Sequence, residues 1–216
     1  MSPVKRPQAD RPHPLERPSR PSSERAERTR ERIRQAAGHC FAENGFARAT
    51  VDDIARRAQV SKATVYVHFA GKEELLREVL EETLRDWRET IWGRVERETR
   101  DTRDAIAVLM RSSIAYARSH PVLRTILVLD DRLLVDKDLL RRSMDGWRGR
   151  LVALVERGIA AGELRADLDP GRAADTIRLW HLSFLDRIYT ETMIEVDDPS
   201  LLEESIGVLV RGLSAS

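Results

Sequence analysis

The chain has 216 residues, 37 basic and 36 acidic side chains, and a net charge of +1. That length buries a sizeable core without disulfides or a structural metal, and the single cysteine, Cys40, excludes an intramolecular disulfide and any multi-cysteine zinc site. No run approaches the roughly 20 apolar residues of a membrane helix, and the Pro- and Arg-rich start lacks the apolar stretch of a signal peptide; the expected setting is the cytoplasm.

The near-zero charge hides an asymmetry. Residues 1–71 carry 14 basic and 8 acidic side chains; residues 72–216 carry 23 and 28. A basic end on an acidic body suits a polyanionic partner met at one end.

Residues 1–23 hold Pro3, Pro7, Pro12, Pro14, Pro18 and Pro21. Prolines this dense defeat helix and sheet alike, so a disordered basic arm is expected. Its arginines suit either a DNA backbone or plain solvent. Ser22 or Ser23 then caps a first helix with Glu24 and Glu27 in its first turns. Ile33, Ala36, Ala37, Cys40 and Phe41 form its apolar stripe, with Cys40 a small buried thiol. Asn44-Gly45 is its expected stop. Thr50 caps a second helix, with Asp53 three residues on, close to a capping box. Val51, Ile54, Ala55 and Ala58 supply its buried face. Ala58-Gln59-Val60 makes a turn, and Ser61 caps a third helix ending near Phe69. Gly71 breaks the chain. Lys72 opens a long helix to Glu98, with Gly93 a possible kink.

The pattern stays helical beyond residue 100. One helix runs from about Ala105 to His120-Pro121, and a shorter one from Pro121 to Leu134. A longer one spans Lys137 to Ala161 and stops at Gly162. Asp169-Pro170 and Asp198-Pro199 each pair a cap with a proline at the first helical position, opening helices to about Tyr189 and Leu213. No strand alternation or internal repeat is seen. The fold class is therefore all-α: an arm (1–23), a three-helix helix-turn-helix unit (24–71), and a helical-bundle body (72–216).

The segment from Thr50 to Leu76 carries the function. Two short helices joined by a three-residue turn bury little alone, but Ile54, Ala55, Val60, Val65 and Phe69 can pack on the first helix. The third helix then exposes Ser61, Lys62, Ala63, Thr64, Val67 and His68. Small and hydroxyl side chains allow close approach to base edges, and Lys62 can donate to guanine or phosphate. Thr50 and Lys72 sit at helix N-termini, where free N–H groups and the dipole favour phosphate. Tyr66 and His68 can donate from the far end, although the Tyr66 ring can equally close the small core. Arg56 and Arg57 read as solvated surface.

This segment closely resembles the N-terminal domain of the tetracycline-repressor (TetR) family. The resemblance rests on Phe46, Thr50, Ile54-Ala55, Ala58, the run Val60 to Phe69, and Lys72-Glu73-Glu74-Leu75, and covers about residues 24–80. It implies a homodimeric, sequence-specific transcription regulator, usually a repressor, with an all-helical effector and dimerisation domain. It also implies bases read by Ser61, Lys62, Ala63 and Thr64, and phosphates held by Thr50, Tyr66, His68 and Lys72.

In the body, Trp87, Trp92, Met110, Tyr116, Trp147, Trp180 and His181 are candidates to line an effector pocket; each alone fits ordinary core packing as well. Ile177, Phe184, Leu185 and Ile188 lie on one face of the helix after Pro170, and Leu202, Ile206, Leu209 and Leu213 on one face of the last helix. The TetR resemblance implies that two such C-terminal helices form a four-helix dimer interface; the stripes fit the chain's own core as well. The five histidines are scattered, so neither a metal site nor a cofactor is expected, and Cys40 and His181 lack the neighbours of a catalytic pair. The expected function is a repressor released from its operator by a small molecule. The alternative is a DNA-binding regulator without such an effector, acting as an activator or gated by a protein.

Overall fold

The structure, a computed structural model, describes residues 21–123, 137–189 and 199–215. Residues 1–20 of the expected arm and most of the helix expected over Pro121–Leu134 lie outside the described residues, while residues 21–23, expected in the arm, are helical. Eight helices are described: α1 (Pro21–Arg48), α2 (Val51–Ala58), α3 (Lys62–His68), α4 (Lys72–Glu98), α5 (Thr102–Ser119), α6 (Lys137–Ala160), α7 (Pro170–Tyr189) and α8 (Pro199–Leu213). A 3₁₀ turn, Pro121–Leu123, follows α5.

α1 begins at Pro21, just before the expected serine caps, and leaves helical geometry at Gly45, whose φ of 72° favours glycine. One more turn follows instead of a stop. That turn sends Phe46 and Ala49 into the core, where Phe46 packs against Phe41 with ring centroids 5.6 Å apart. Ile33, Ala36, Ala37, Cys40 and Phe41 are buried, as their spacing predicts. α2 and α3 close over this stripe with Ile54, Ala55, Ala58, Val65 and Phe69.

α4 joins the three-helix unit of α1–α3, the head, to the remaining helices, the body. Leu75, Leu76, Val79 and Leu80 are buried in its first half and Leu84, Trp87, Ile91, Trp92 and Val95 in its second. It runs unbroken through Gly93. α4 packs on both α1 and α5, and the Pro121–Leu123 turn touches α1, α4 and α5, so the body meets the head through two elements. α5 is central, contacting α4, α6, α7 and α8.

Local chemistry explains the body's corners. Asp101 caps α5 by accepting from Asp104 N–H at 2.8 Å, and Glu163 accepts from Thr102 N–H at 2.7 Å. Gly158 is required there: a Cβ would meet the Thr102 side chain at 2.7 Å. Gly162 ends α6 at φ +70°. Asp169 caps α7 through Arg172 N–H at 2.7 Å. The end of α8 is stitched to the α6–α7 turn by Arg165 N–H to the Leu213 carbonyl (3.0 Å) and Ala215 N–H to the Glu163 carbonyl (3.1 Å).

Candidate nucleic-acid interface

The helix-turn-helix is built by short-range hydrogen bonds. Thr50 Oγ1 accepts from Asp53 N–H at 3.1 Å and donates to Asp53 Oδ2 at 2.6 Å. That hydroxyl holds the Asp53 carboxyl below its ordinary range, aided by Arg56. Gln59 ends α2 in the left-handed region at φ 55°, and Val60 N–H closes the turn onto the Ala55 carbonyl at 3.0 Å. Ser61 Oγ accepts from Thr64 N–H at 3.0 Å and lies 2.8 Å from Thr64 Oγ1. Glu43 and Arg57 tie α1 to α2 through two 2.6 Å hydrogen bonds.

With Val65 buried, α3 turns a defined face outward. Ser61, Lys62, Ala63, Tyr66 and Val67 are exposed, Val67 to 80% and Tyr66 to 50%. Val67 and Tyr66 are the only large apolar side chains of the described head that stand this open. Thr64 and His68 are half-buried on one edge of that face. On the other edge Lys62 Nζ donates to Asp52 Oδ2 at 2.8 Å, which raises the lysine's pKa.

The end of α3 is held from α1 and α4. Arg30 donates to the His68 carbonyl and to Glu78, with its guanidinium 4.2 Å above the Phe69 ring. Sequence spacing carries no sign of this tie. Lys72 is also more enclosed than its position suggests. Its ammonium donates to the Phe46 carbonyl (2.8 Å) and the Ala49 carbonyl (3.1 Å) and sits 4.3 Å over the Phe46 ring. It therefore caps the last turn of α1 from the start of α4.

The body brings some of the pocket candidates together. Trp87 and Trp147 stack with ring centroids 4.2 Å apart and 16° from parallel. His181 lies 5.6 Å and 5.7 Å from them, and Trp92 meets Trp147 edge-on at 5.4 Å. All four are buried. Their Nε1 atoms and His181 Nε2 have no hydrogen-bond partner, nor do the buried Ser112 and Ser113 hydroxyls. Burial lowers the His181 pKa to about 4, so the ring is neutral. Tyr116 is separate: its hydroxyl donates to Asp86 at 2.6 Å and its ring stacks on His120. Burial, reinforced by Asp86, raises its pKa. Met110 is fully buried, and Trp180 is only half-buried. Among the described residues no three His, Cys, Asp or Glu side chains gather as a metal site, and no helix is long and apolar enough to cross a membrane.

The two apolar stripes are largely covered within the chain. Ile177, Leu185, Ile206, Leu209 and Leu213 are buried in its own core. Phe184 and Leu202 are half-buried, and the Ile188 side chain lies outside the described residues. The open apolar positions are others, Leu179 at 62% and Val208 at 49%.

This arrangement has relatives. Residues 33–79 match the family profile of bacterial regulatory proteins of the tetR family, and residues 104–185 match the tetracyclin repressor-like C-terminal domain. The HTH-type transcriptional repressor KstR2 of Mycolicibacterium smegmatis is 31% identical over 160 residues, spanning 70% of this chain and 73% of that one. The chain belongs to the TetR family of bacterial regulatory proteins. Likeness to the HTH-type transcriptional regulator SrpR of Pseudomonas putida is higher, 47%, but covers 62 residues, 29% of each chain. The fold also matches the FadR regulator of Bacillus subtilis solved with stearoyl-CoA (TM-score 0.68, 21% identity, 85% of this chain and 98% of that one). As a TetR-family member the chain is a DNA-binding transcriptional regulator.

Proposed function

We propose that this protein is a cytoplasmic repressor with no catalytic role, released from its operator by a small-molecule effector. The observation that carries the reading is the open outer face of α3, rigidly capped at both ends and flanked by cations. Two subunits present α3 to successive major grooves about 34–36 Å apart on a near-palindromic site. Ser61, Lys62, Ala63 and Thr64 approach base edges, joined by Val67, whose methyls suit a thymine methyl. Thr50, Tyr66, His68 and Lys72 hold phosphates. Lys62 exchanges Asp52 for DNA, a weak exposed pair that costs little to break.

The dimer forms through the outer faces of α7 and α8, where Leu179 and Val208 stand open. The effector enters the body beside Trp87, Trp147 and His181. Support comes from the partnerless buried polar atoms there, and from FadR, of the same fold, which holds stearoyl-CoA. α4 leaves the head and lines that region, so an effector that prefers another α4 position alters the spacing of the two heads. Coupling of this kind is worth roughly 1–3 kcal/mol.

Selection of genomic fragments by the purified protein tests the reading. Recovery of one near-palindromic site supports it, and recovery of no enriched site overturns it. Operator affinity that ignores every metabolite offered would leave the protein-gated alternative.

A further inference from the structure

The first turns of α1 overhang the head. Residues 23–28 are all exposed, and the first buried side chain is Ile33. On this overhang Arg25, Thr29 and Arg32 recur at helical spacing and form one stripe. The stripe faces α3. With Ala26, Gln59, Val60, Thr64 and His68 it lines an open groove between α1 and the edge of the reading helix.

Two features set this groove apart. It has no carboxylate in its lining, and among the described residues neither Arg25 nor Arg32 is in an ion pair. The other side of α1 is the reverse. There Glu27, Glu31, Glu78, Glu81 and Glu82 surround Arg30, Arg34 and Arg85, and each of these arginines is paired with a glutamate. The acids of α1 thus pair with cations towards α4, while Arg25 and Arg32 stay out of ion pairs towards α3 even though Glu24, Glu27 and Glu31 line the hollow next to them. Two cations on one stripe beside the outer helix of the helix-turn-helix, with no carboxylate in the groove between, suit a face that lies along a polyanion.

We propose that Arg25 and Arg32 on α1 hold the DNA sugar-phosphate backbone alongside the groove read by α3. The proposal rests on α3 being the reading helix and adds a contact strip outside the helix-turn-helix itself. Arginine suits the task because its planar fork meets two phosphate oxygens at once. Thr64 and the His68 imidazole line the same groove and can donate to the same backbone, while Thr29 spends its hydroxyl proton on the Arg25 carbonyl. Such contacts position the protein without reading sequence, so the strip widens the footprint and raises affinity for every duplex alike.

The test uses the full chain and a fluorescent random-sequence duplex, with binding followed by anisotropy across a salt series. The variant is Arg25→Gln/Arg32→Gln, and a control of equal charge change is Arg97→Gln/Arg100→Gln at the far end of α4. Thermal melting confirms that both are folded. A dimer that loses four phosphate contacts should show a log–log salt slope shallower by about 3.6, and an affinity at least about tenfold lower, with the control unchanged. An unchanged slope in the α1 variant, with the wild type bound, overturns the proposal. So does an equal loss in the control, which would make the effect one of net charge. A changed base preference on selected sites would also overturn it, since backbone contacts carry none. Failure of the wild type to bind any duplex at low salt would be a different result, sinking the reading of α3 and this strip together.

Discussion

The head and the body core treat their polar groups in opposite ways. Around α3 the polar groups are tied locally: Thr50 to Asp53, Ser61 to Thr64, Lys62 to Asp52, and the His68 carbonyl to Arg30. In the core between α4 and α7, three indole N–H groups, one imidazole nitrogen and two serine hydroxyls have no partner. An unmet buried polar group costs about 1–3 kcal/mol. The head is thus finished before it meets DNA, whereas the body keeps unsatisfied polar atoms in its interior. Rigidity at one end and unmet chemistry at the other are what a gated reader requires.

The largest effect that can break this contrast is at Trp147. Trp147→Ala opens a cavity in the stack and should cost about 3–5 kcal/mol in denaturant unfolding. Trp147→Phe keeps a ring and removes the orphan N–H, so it should cost far less. A Phe variant as unstable as the Ala variant would mean that the indole nitrogen is bonded after all.

Next comes pH. His181 has a folded pKa of about 4 against an ordinary 6.5. As pH falls the unfolded chain takes up the proton first, so this group's stability is fully present above about 6.5 and is lost as pH drops to about 4. The difference is on the order of 3 kcal/mol. Melting temperatures measured through that window should fall more steeply for the wild type than for His181→Phe. Parallel curves would show that His181 is not desolvated.

Lys72→Met ranks third. If the ammonium only met phosphate, the variant would lose DNA affinity and keep its stability. Because it caps the last turn of α1, unfolding should also become easier by about 1.5–3 kcal/mol. A variant with wild-type stability would return Lys72 to the surface.

The smallest effect is at the reading face. Val67→Ala leaves the fold alone, since Val67 is exposed, and should alter preference at one base pair by about 1 kcal/mol. Base preferences identical to the wild type would remove Val67 from the interface.

Sequence and structure agree most closely where a residue's partner is three or four positions away. The caps at Thr50, Ser61 and Asp169, the breaks at Gly71 and Gly162, and the buried stripe of α1 are all legible because local hydrogen bonds and helical period depend on neighbours in the chain. Gly45 shows the limit of that reading. Its backbone does leave the helix, but Phe46 and Ala49 find the core one turn later, a matter of tertiary space. The candidate site divides similarly. Periodicity finds Ser61, Lys62, Ala63 and Val67 on the outer face of α3, but it also puts the half-buried Thr64 and His68 there, misses the exposed Tyr66, and carries no signal for the Arg30 tie to α3 and Glu78.

The order of helices, the head and its capped recognition helix were thus determined by sequence alone, through interactions spanning a single turn. Tertiary structure decided everything that joins distant segments. It put Lys72 on carbonyls more than twenty residues away and stacked Trp87, Trp147 and His181 from three helices. It covered Ile177 and Ile206 while leaving Leu179 and Val208 open. The physical reason is that an amphipathic stripe declares that it will be buried, but only the packed neighbours settle against what.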